Sequence, residues 1–220
     1  MKKEQSFKEI YIDILEKKKN LTDKQKAVLQ AALELFSEQG FDGTSSQQIA
    51  DKAGVSVGAV YRKFPDKQSI MLAVLSPIFE ETITLMSEQL KSNSFDKGFS
   101  SLDNMLLTII TNHFNFIHDN IHVIRLMLEQ VLTNRLILEQ VKHFFGNQIK
   151  TVVFPALEKF KSTNQLVDLS NDYIVQVIYS QIISYAGKLI LNIENLPKDK
   201  EILLATNTLL KVLNPNDSQI

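Results

Sequence analysis

The sequence predicts an all-α protein, with a small three-helix head containing a helix-turn-helix, joined by one long helix to a larger helical body. Three observations lead there. Apolar residues recur every three or four positions along most of the chain, serine and threonine capping signals stand ahead of those runs, and the 220 residues include only seven Gly and five Pro. A hydrophobic content of 44% supplies a substantial core.

Residues 1–20 form an extension in which Phe7, Ile10, Tyr11, Ile14 and Leu15 lie at helical spacing, ahead of Lys17, Lys18 and Lys19. It reads as an extra helix packed on the head, its lysines either solvated or brushing a phosphate backbone. The head proper spans residues 21–66. Thr22 and Gln25 form a capping box before a helix with Ala27, Val28, Ala31, Leu35 and Phe36 on one face, which ends at Gly40. Ser45 and Gln48 form a second box, opening a short helix whose Ile49, Ala50 and Ala53 face inward. Gly54 ends that helix in the left-handed conformation, Val55 buries the corner, and Ser56 caps the next helix.

In that next helix Val60 and Phe64, four residues apart, point inward. Val57, Gly58, Ala59, Tyr61, Arg62 and Lys63 are left on the other faces, where small or cationic groups suit entry into a DNA major groove. Pro65 stops the helix and Asp66 caps the following one. Lys67 falls in the first turn of that helix, where a cation opposes the helix dipole and calls for a partner outside the helix, such as a phosphate. A long helix over about residues 67–91, with Ile70, Met71, Val74, Leu75, Ile78 and Phe79 inward, links head to body.

This arrangement resembles the TetR family of bacterial transcriptional regulators. The resemblance rests on residues 31–75, AALELFSEQGFDGTSSQQIADKAGVSVGAVYRKFPDKQSIMLAVL. Within them it is carried by Phe36, Gly40-Phe41, Ile49-Ala50, Ala53-Gly54-Val55-Ser56, Gly58, Tyr61, Phe64 and Lys67. It covers about a fifth of the chain specifically and the remainder only by length and helical character. The resemblance implies that Ser45 or Ser46, with Gln47, meets the DNA backbone or a base edge. Val57, Gly58 and Ala59 would face bases, Tyr61 and Lys67 would lie on phosphates, and Arg62 and Lys63 would serve either purpose. Family members often place a polar residue among the central three positions, whereas this chain has none. Base reading here would rest on thymine methyls, Gln47 and the cationic pair.

Net charge is −1, but residues 1–70 carry 12 Lys+Arg against 10 Asp+Glu, and the remainder 12 against 15. The head is therefore mildly basic and the body acidic. Such a weakly charged chain engages DNA most readily as a dimer, each head adding its own phosphate contacts.

The body, residues 67–220 with the linking helix, reads as helices throughout. One begins at Leu102, Met105, Leu106, Ile109 and Ile110, runs through Phe114 and Ile117, and breaks at Asp119 or Asn120. The next carries Ile124, Leu126, Met127, Leu128 and Val131. A long segment over about 134–161 contains Leu138, Val141, Phe144, Phe145, Ile149, Val152 and Leu157, and is kinked or interrupted at Pro155. A polar loop over 162–170 precedes two last helices, about 171–193 and 198–213. The first of these has apolar residues on more than one face, from Tyr173 and Ile174 to Ile190 and Ile193, which a fully buried helix or a helix with a second partner requires. By the resemblance, these two helices pair with those of a second subunit, and Gly187 allows close backbone approach. Two heads would then read half-sites about 34–36 Å apart on a palindrome.

An effector pocket between body helices is expected at His113, Phe114, Phe145, Gln181 and Tyr185, with Asn112 and Lys188 as further orienting groups. The aromatic lining and the lack of clustered Arg favour an apolar or aromatic small molecule over a sugar phosphate. An alternative is a helical haem- or metal-binding protein in which the helix-turn-helix is structural, since His113, His118 and His122 fall within ten residues. The break at Asp119 or Asn120 spoils the i, i+4 pairing of His118 with His122, and neither a Cys nor a second carboxylate-x-x-His pair supports it. No cofactor or metal is therefore expected.

No phosphate loop, nucleophile elbow or metalloprotease helix is present, so an enzyme is not expected. The absence of Cys, of a secretory leader and of a membrane-length apolar run points to the cytoplasm. The expected function is a ligand-responsive, DNA-binding transcriptional regulator, a repressor acting as a homodimer on a palindromic double-stranded operator. A regulator controlled by a protein partner instead of a small molecule stays open.

Overall fold

The computed structural model describes residues 7–78, 101–193 and 196–215, and all regular secondary structure among them is helical. The expected continuation of the linking helix over 79–91, Phe79 included, lies outside the described residues. The chain packs as two compact units. One holds the N-terminal helices and His122–Phe144; the other holds the chain leading up to Ile121 and everything from Phe145 onward.

In the first unit, α1 (Phe7–Lys17), α2 (Asp23–Gln39), α3 (Ser46–Lys52) and α4 (Val57–Lys63) are followed by α5, described over residues 67–78. α2 starts at a reciprocal box: the Thr22 hydroxyl accepts the Gln25 N–H at 3.3 Å, and the Gln25 amide oxygen accepts the Thr22 N–H at 3.0 Å. It ends at Gly40, whose φ of 76° is the left-handed range open to glycine. Three residues on, a Cβ at Gly43 would collide with the Gln39 carbonyl oxygen, so only glycine lets the chain double back there.

α2 buries more than the single face that its periodicity predicts. Leu29, Ala32 and Leu33 join Val28, Ala31 and Phe36 in the core, because α1 packs on α2 and covers a second face. α1 contributes buried Tyr11, Ile14 and Leu15, and its Glu16 meets the largely buried ammonium of Lys26 at 2.6 Å. From α5, Ile70, Met71, Val74, Leu75 and Ile78 are buried. The Tyr11 hydroxyl donates to the Val74 carbonyl at 3.2 Å, which ties α1 to α5, and burial pushes this phenol well above its ordinary pKa. The same unit includes most of α7 (Ile121–Thr133) and the start of α8 (Arg135–Gln148). There Ile137 is buried and the Ser76 hydroxyl donates to the Gln140 amide oxygen at 3.3 Å.

The second unit is built on α6 (Leu102–Asp119), against which α10 (Asn171–Ile190) and α11 (Lys198–Leu213) pack. Leu102, Met105, Leu106, Ile110, Phe114 and Ile117 form its central row. Asn120 ends α6, its amide donating to the Phe116 carbonyl at 2.7 Å. The segment around Pro155 resolves into α8, a π-helical turn (Ile149–Val153) and α9 (Phe154–Ser162). Pro155 sits in the first turn of α9, where its missing N–H leaves no bond unmade, and the π turn absorbs the break in helical register. α10 stops short of the expected Ile193 because Asn192 adopts a left-handed φ of 53°.

Tyr11→Phe removes one buried hydrogen bond, and a loss of about 1 kcal/mol is expected in chemical denaturation. The pH dependence has a definite sign. The unfolded chain ionises Tyr11 from about pH 10 while the folded chain keeps it protonated, so its contribution is complete below pH 10 and lost as pH rises. Unfolding followed between pH 8 and 11 should therefore fall less steeply in Tyr11→Phe than in the parent chain.

Candidate nucleic-acid interface

α3 and α4 are two-turn helices of seven residues each, positioned by caps and by a shared core with α2. The Ser45 hydroxyl accepts the Gln48 N–H at 3.2 Å, while the Gln48 amide oxygen accepts the Ser45 N–H at 2.8 Å. Gly54, at φ 66°, turns the chain, and the Ser56 hydroxyl accepts the Ala59 N–H at 3.2 Å to start α4. Ile49, Ala50, Val60 and Phe64 are buried beneath. The following helix is capped as firmly: the Asp66 carboxylate accepts the Ser69 N–H at 2.6 Å and the Ser69 hydroxyl accepts the Asp66 N–H at 3.2 Å.

This packing decides what the outer face presents. Gly58, Arg62 and Lys63 are exposed, Tyr61 is 47% exposed, and Val57 and Ala59 are half-buried. A Cβ built on Gly58 meets nothing within 4 Å, so nothing in the head's own packing requires glycine there. On α3, Ser45 is exposed, whereas the Ser46 side chain is buried. Gln47 is exposed and its amide donates to the Asp51 carboxylate at 2.7 Å, which lays it along the helix. Lys52 turns toward α2, where Glu34 holds it at 2.8 Å and this hydrogen bond raises its pKa.

Lys67 has its partners on the protein side. Its ammonium donates to the Phe41 carbonyl at 2.8 Å and the Thr44 carbonyl at 3.0 Å, and stands 4.3 Å from the centroid of the Phe41 ring. The Phe41 ring in turn leans on Phe36 of the core, with centroids 5.5 Å apart. Buried Thr44 donates its hydroxyl to the Gly40 carbonyl at 2.8 Å. These loop carbonyls are not legible in the sequence, since backbone oxygens carry no residue signature. The misplaced charge at the start of α5 was the signal that a partner had to exist.

Of the residues expected in an effector pocket, Phe114 and Tyr185 come together. Their rings stack at 3.9 Å and 2°, and the Tyr185 hydroxyl lies 3.3 Å from His118 Nδ1. Tyr185 is 2% exposed, and burial, aided by Glu201 and Asp119, raises its pKa. His113 donates from Nδ1 to the Ile109 carbonyl at 2.8 Å and meets the Tyr179 ring edge-on, with centroids 6.2 Å apart. Burial lowers the His113 pKa, and burial raises that of Tyr179. Gln181 and Phe145 are half-buried. Lys188, expected as an orienting group, is paired with Glu201 at 2.6 Å. An open groove of about 510 Å³ lies elsewhere in this unit, lined by Glu158, Lys161, Asp168 and Pro215 among others, and includes none of the expected pocket residues. Among the described residues no group of three His, Asp or Glu side chains is placed to hold a metal ion, and no helix is long and apolar enough to cross a membrane.

Residues 28–74 match the family described as bacterial regulatory proteins, tetR family. The HTH-type transcriptional regulator RutR of Escherichia coli is 47% identical over 57 residues, 26% of this chain and 27% of that protein. The HTH-type transcriptional regulator YuxN of Bacillus subtilis is 31% identical over 98 residues, 44% of this chain and 34% of its own length. The chain thus matches these curated relatives over about a quarter to a third of their length. In fold, it is similar to the transcriptional regulator FadR of Bacillus subtilis, solved in complex with stearoyl-CoA. The TM-score is 0.64 at 20% identity, covering 86% of this chain and 97% of that one.

The half-buried imidazole of His113 yields a test. As pH falls through about 6.5 the unfolded chain takes up a proton that the folded chain resists, so stability present above that pH is lost below it. Thermal unfolding between pH 5 and 8 should show a shallower acid loss in His113→Gln than in the parent chain.

Proposed function

This chain belongs to the tetR family of bacterial regulatory proteins, and we infer that it regulates transcription by reading double-stranded DNA through α3 and α4. The observation that carries the reading is the outer face of α4. Arg62, Lys63 and Tyr61 stand exposed around Gly58, a glycine inside a helix that its own domain does not need. Gly58 is the second residue of α4, and glycine adopts helical geometry less readily than alanine. Close approach of a DNA backbone or base edge, to which a Cβ would be an obstacle, accounts for keeping it. Ser45 and Gln47 flank this face from α3, and Val57 and Ala59 offer apolar contact to thymine methyls.

The protein acts as a homodimeric repressor through its last two helices. Along α10 and its C-cap residue Leu191, Tyr173, Ser180, Ile183, Ser184, Gly187 and Leu191 recur at helical spacing, with Ile183 63% and Leu191 70% exposed. Leu203 and Leu204 of α11 are also more than half exposed, and a Cβ on Gly187 meets nothing within 4 Å. A second copy covers this apolar surface and makes use of the small residues. The body responds to an apolar effector at the α6–α10 aromatic cluster, a reading supported by the acyl ligand in the FadR structure. The effector releases DNA by favouring a head spacing that fits two half-sites less well.

Selection from a random duplex pool should return a palindrome with half-site centres about 34–36 Å apart. Recovery of no enriched sequence, together with no salt-dependent retention, would sink the assignment. With about eight phosphate contacts per dimer, log K should fall with log salt at a slope near −7, and Arg62→Gln with Lys63→Gln should flatten it by about 2–4. Gly58→Ala should weaken binding at least about tenfold while leaving the head no less stable than in the parent chain. Ile183→Glu with Leu204→Glu should convert a dimer to a monomer in sedimentation velocity; a parent chain that sediments as a monomer contradicts the dimer.

A further inference from the structure

We propose that Lys67 is a positioning residue, which sets the DNA-reading face from within the head and makes no phosphate contact of its own. The proposal rests on the DNA-binding reading above and assigns one residue of that site a different role from its exposed cations.

The coordination of the ammonium carries the argument. A lysine ammonium has three N–H donors. Two meet the carbonyls of Phe41 and Thr44 at 2.8 and 3.0 Å, and the Phe41 ring face lies 4.3 Å from the nitrogen. Two carbonyl dipoles and a ring quadrupole are what a partly desolvated cation requires. Turning it out to a phosphate would strip all three contacts and leave the Phe41 carbonyl only the Thr44 N–H, at 3.2 Å. Arg62 and Lys63, by contrast, are exposed on α4.

The location of those carbonyls specifies what the bracket does. Thr44 immediately precedes Ser45, the cap of α3, and Phe41 follows Gly40, the end of α2. Lys67 lies in the first turn of α5, after Asp66 and Ser69 have capped that helix. The ammonium therefore pins the start of α5 to the loop that sets where α3 begins. Gln39 and Thr44 brace the loop from within, the Gln39 amide donating to the Thr44 hydroxyl at 3.4 Å. A cation at a helix N-terminus opposes the helix dipole, and the two carbonyls offset that cost. A displacement of α5 is thereby carried to the N-terminus of α3 through one side chain.

A salt titration separates the two roles. A lost phosphate contact reduces the slope of log K against log salt by about 0.9 per lysine, or about 1.8 for a dimer, whereas a lost positioning contact lowers log K equally at every salt concentration. Lys67→Met keeps the apolar stem and removes the ammonium. Its binding to the duplex selected by the parent chain should weaken about tenfold or more, at an unchanged slope. Phe41→Leu removes the ring face, leaves every charge in place, and should weaken binding in the same way. A Lys67→Met slope flatter by about 1.8, with Phe41→Leu binding like the parent, overturns the proposal.

A second measurement needs no DNA. Hydrogen exchange of residues 41–48 should speed up in Lys67→Met relative to the parent, while amides of α2 stay protected. Unchanged exchange there overturns the bracket. If the parent chain binds no duplex, the functional reading fails, and the exchange result still decides whether Lys67 holds this loop.

Discussion

Two helices of seven residues have almost no stability of their own in water, because so short a segment cannot repay the cost of nucleation. The candidate reading surface therefore exists only as far as the rest of the head imposes it. Ile49 and Ala50 from α3 and Val60 and Phe64 around α4 are buried against the larger helices, and serine caps at Ser45 and Ser56 satisfy the first free N–H groups. α2 can serve as the platform because α1 shields its other side, so its core residues extend around more than one face. Helix α1 lies outside the residues that match the family, yet it supplies three buried side chains to this unit, and the Tyr11 hydroxyl reaches the Val74 carbonyl on α5.

Electrostatics follow from the same geometry. The head has only a small excess of positive charge, and part of that charge is spent internally. Lys26 pairs with Glu16, Lys52 with Glu34, and Lys67 with two carbonyls and a ring. Each of these cations stiffens the scaffold. Arg62 and Lys63 project from α4, whose first three residues, Val57, Gly58 and Ala59, carry no polar side chain.

The second unit is organised around α6. A column of aliphatic residues gives way to the Phe114–Tyr185 stack, with His118 at the Tyr185 hydroxyl and His113 edge-on to Tyr179. Polar groups in apolar surroundings that nonetheless find a hydrogen bond are suited to orienting a ligand, since each has a definite direction and a second lone pair or donor to offer. The ion pairs Lys188–Glu201 and Lys198–Asp119, at 2.6 and 3.9 Å, tie the connection between α10 and α11 to its surroundings. The outer faces of those two helices meanwhile keep the large aliphatic side chains of Ile183, Leu203 and Leu204 exposed.

The residues legible in the sequence are those whose partners lie within one helical turn. The Thr22–Gln25 and Ser45–Gln48 boxes, the Ser56 and Asp66 caps and the turn at Gly54 are interactions over three or four positions, and a short string of letters contains both partners. The inward placement of Val60, Phe64 and the α5 row follows from helical periodicity in the same way. The sequence by itself thus determined the all-helical class and the helix-turn-helix head. Only the tertiary structure decided that α2 is covered on two sides, that Ser46 is buried while Ser45 is exposed, that Tyr11 reaches across 63 positions to Val74, and that the ammonium of Lys67 ends on carbonyls 23 and 26 positions away. The physical reason is common to all four. Which face of a helix is covered, and which backbone oxygen a long flexible side chain can reach, depend on how separate helices pack, and that information is held by no local stretch of residues.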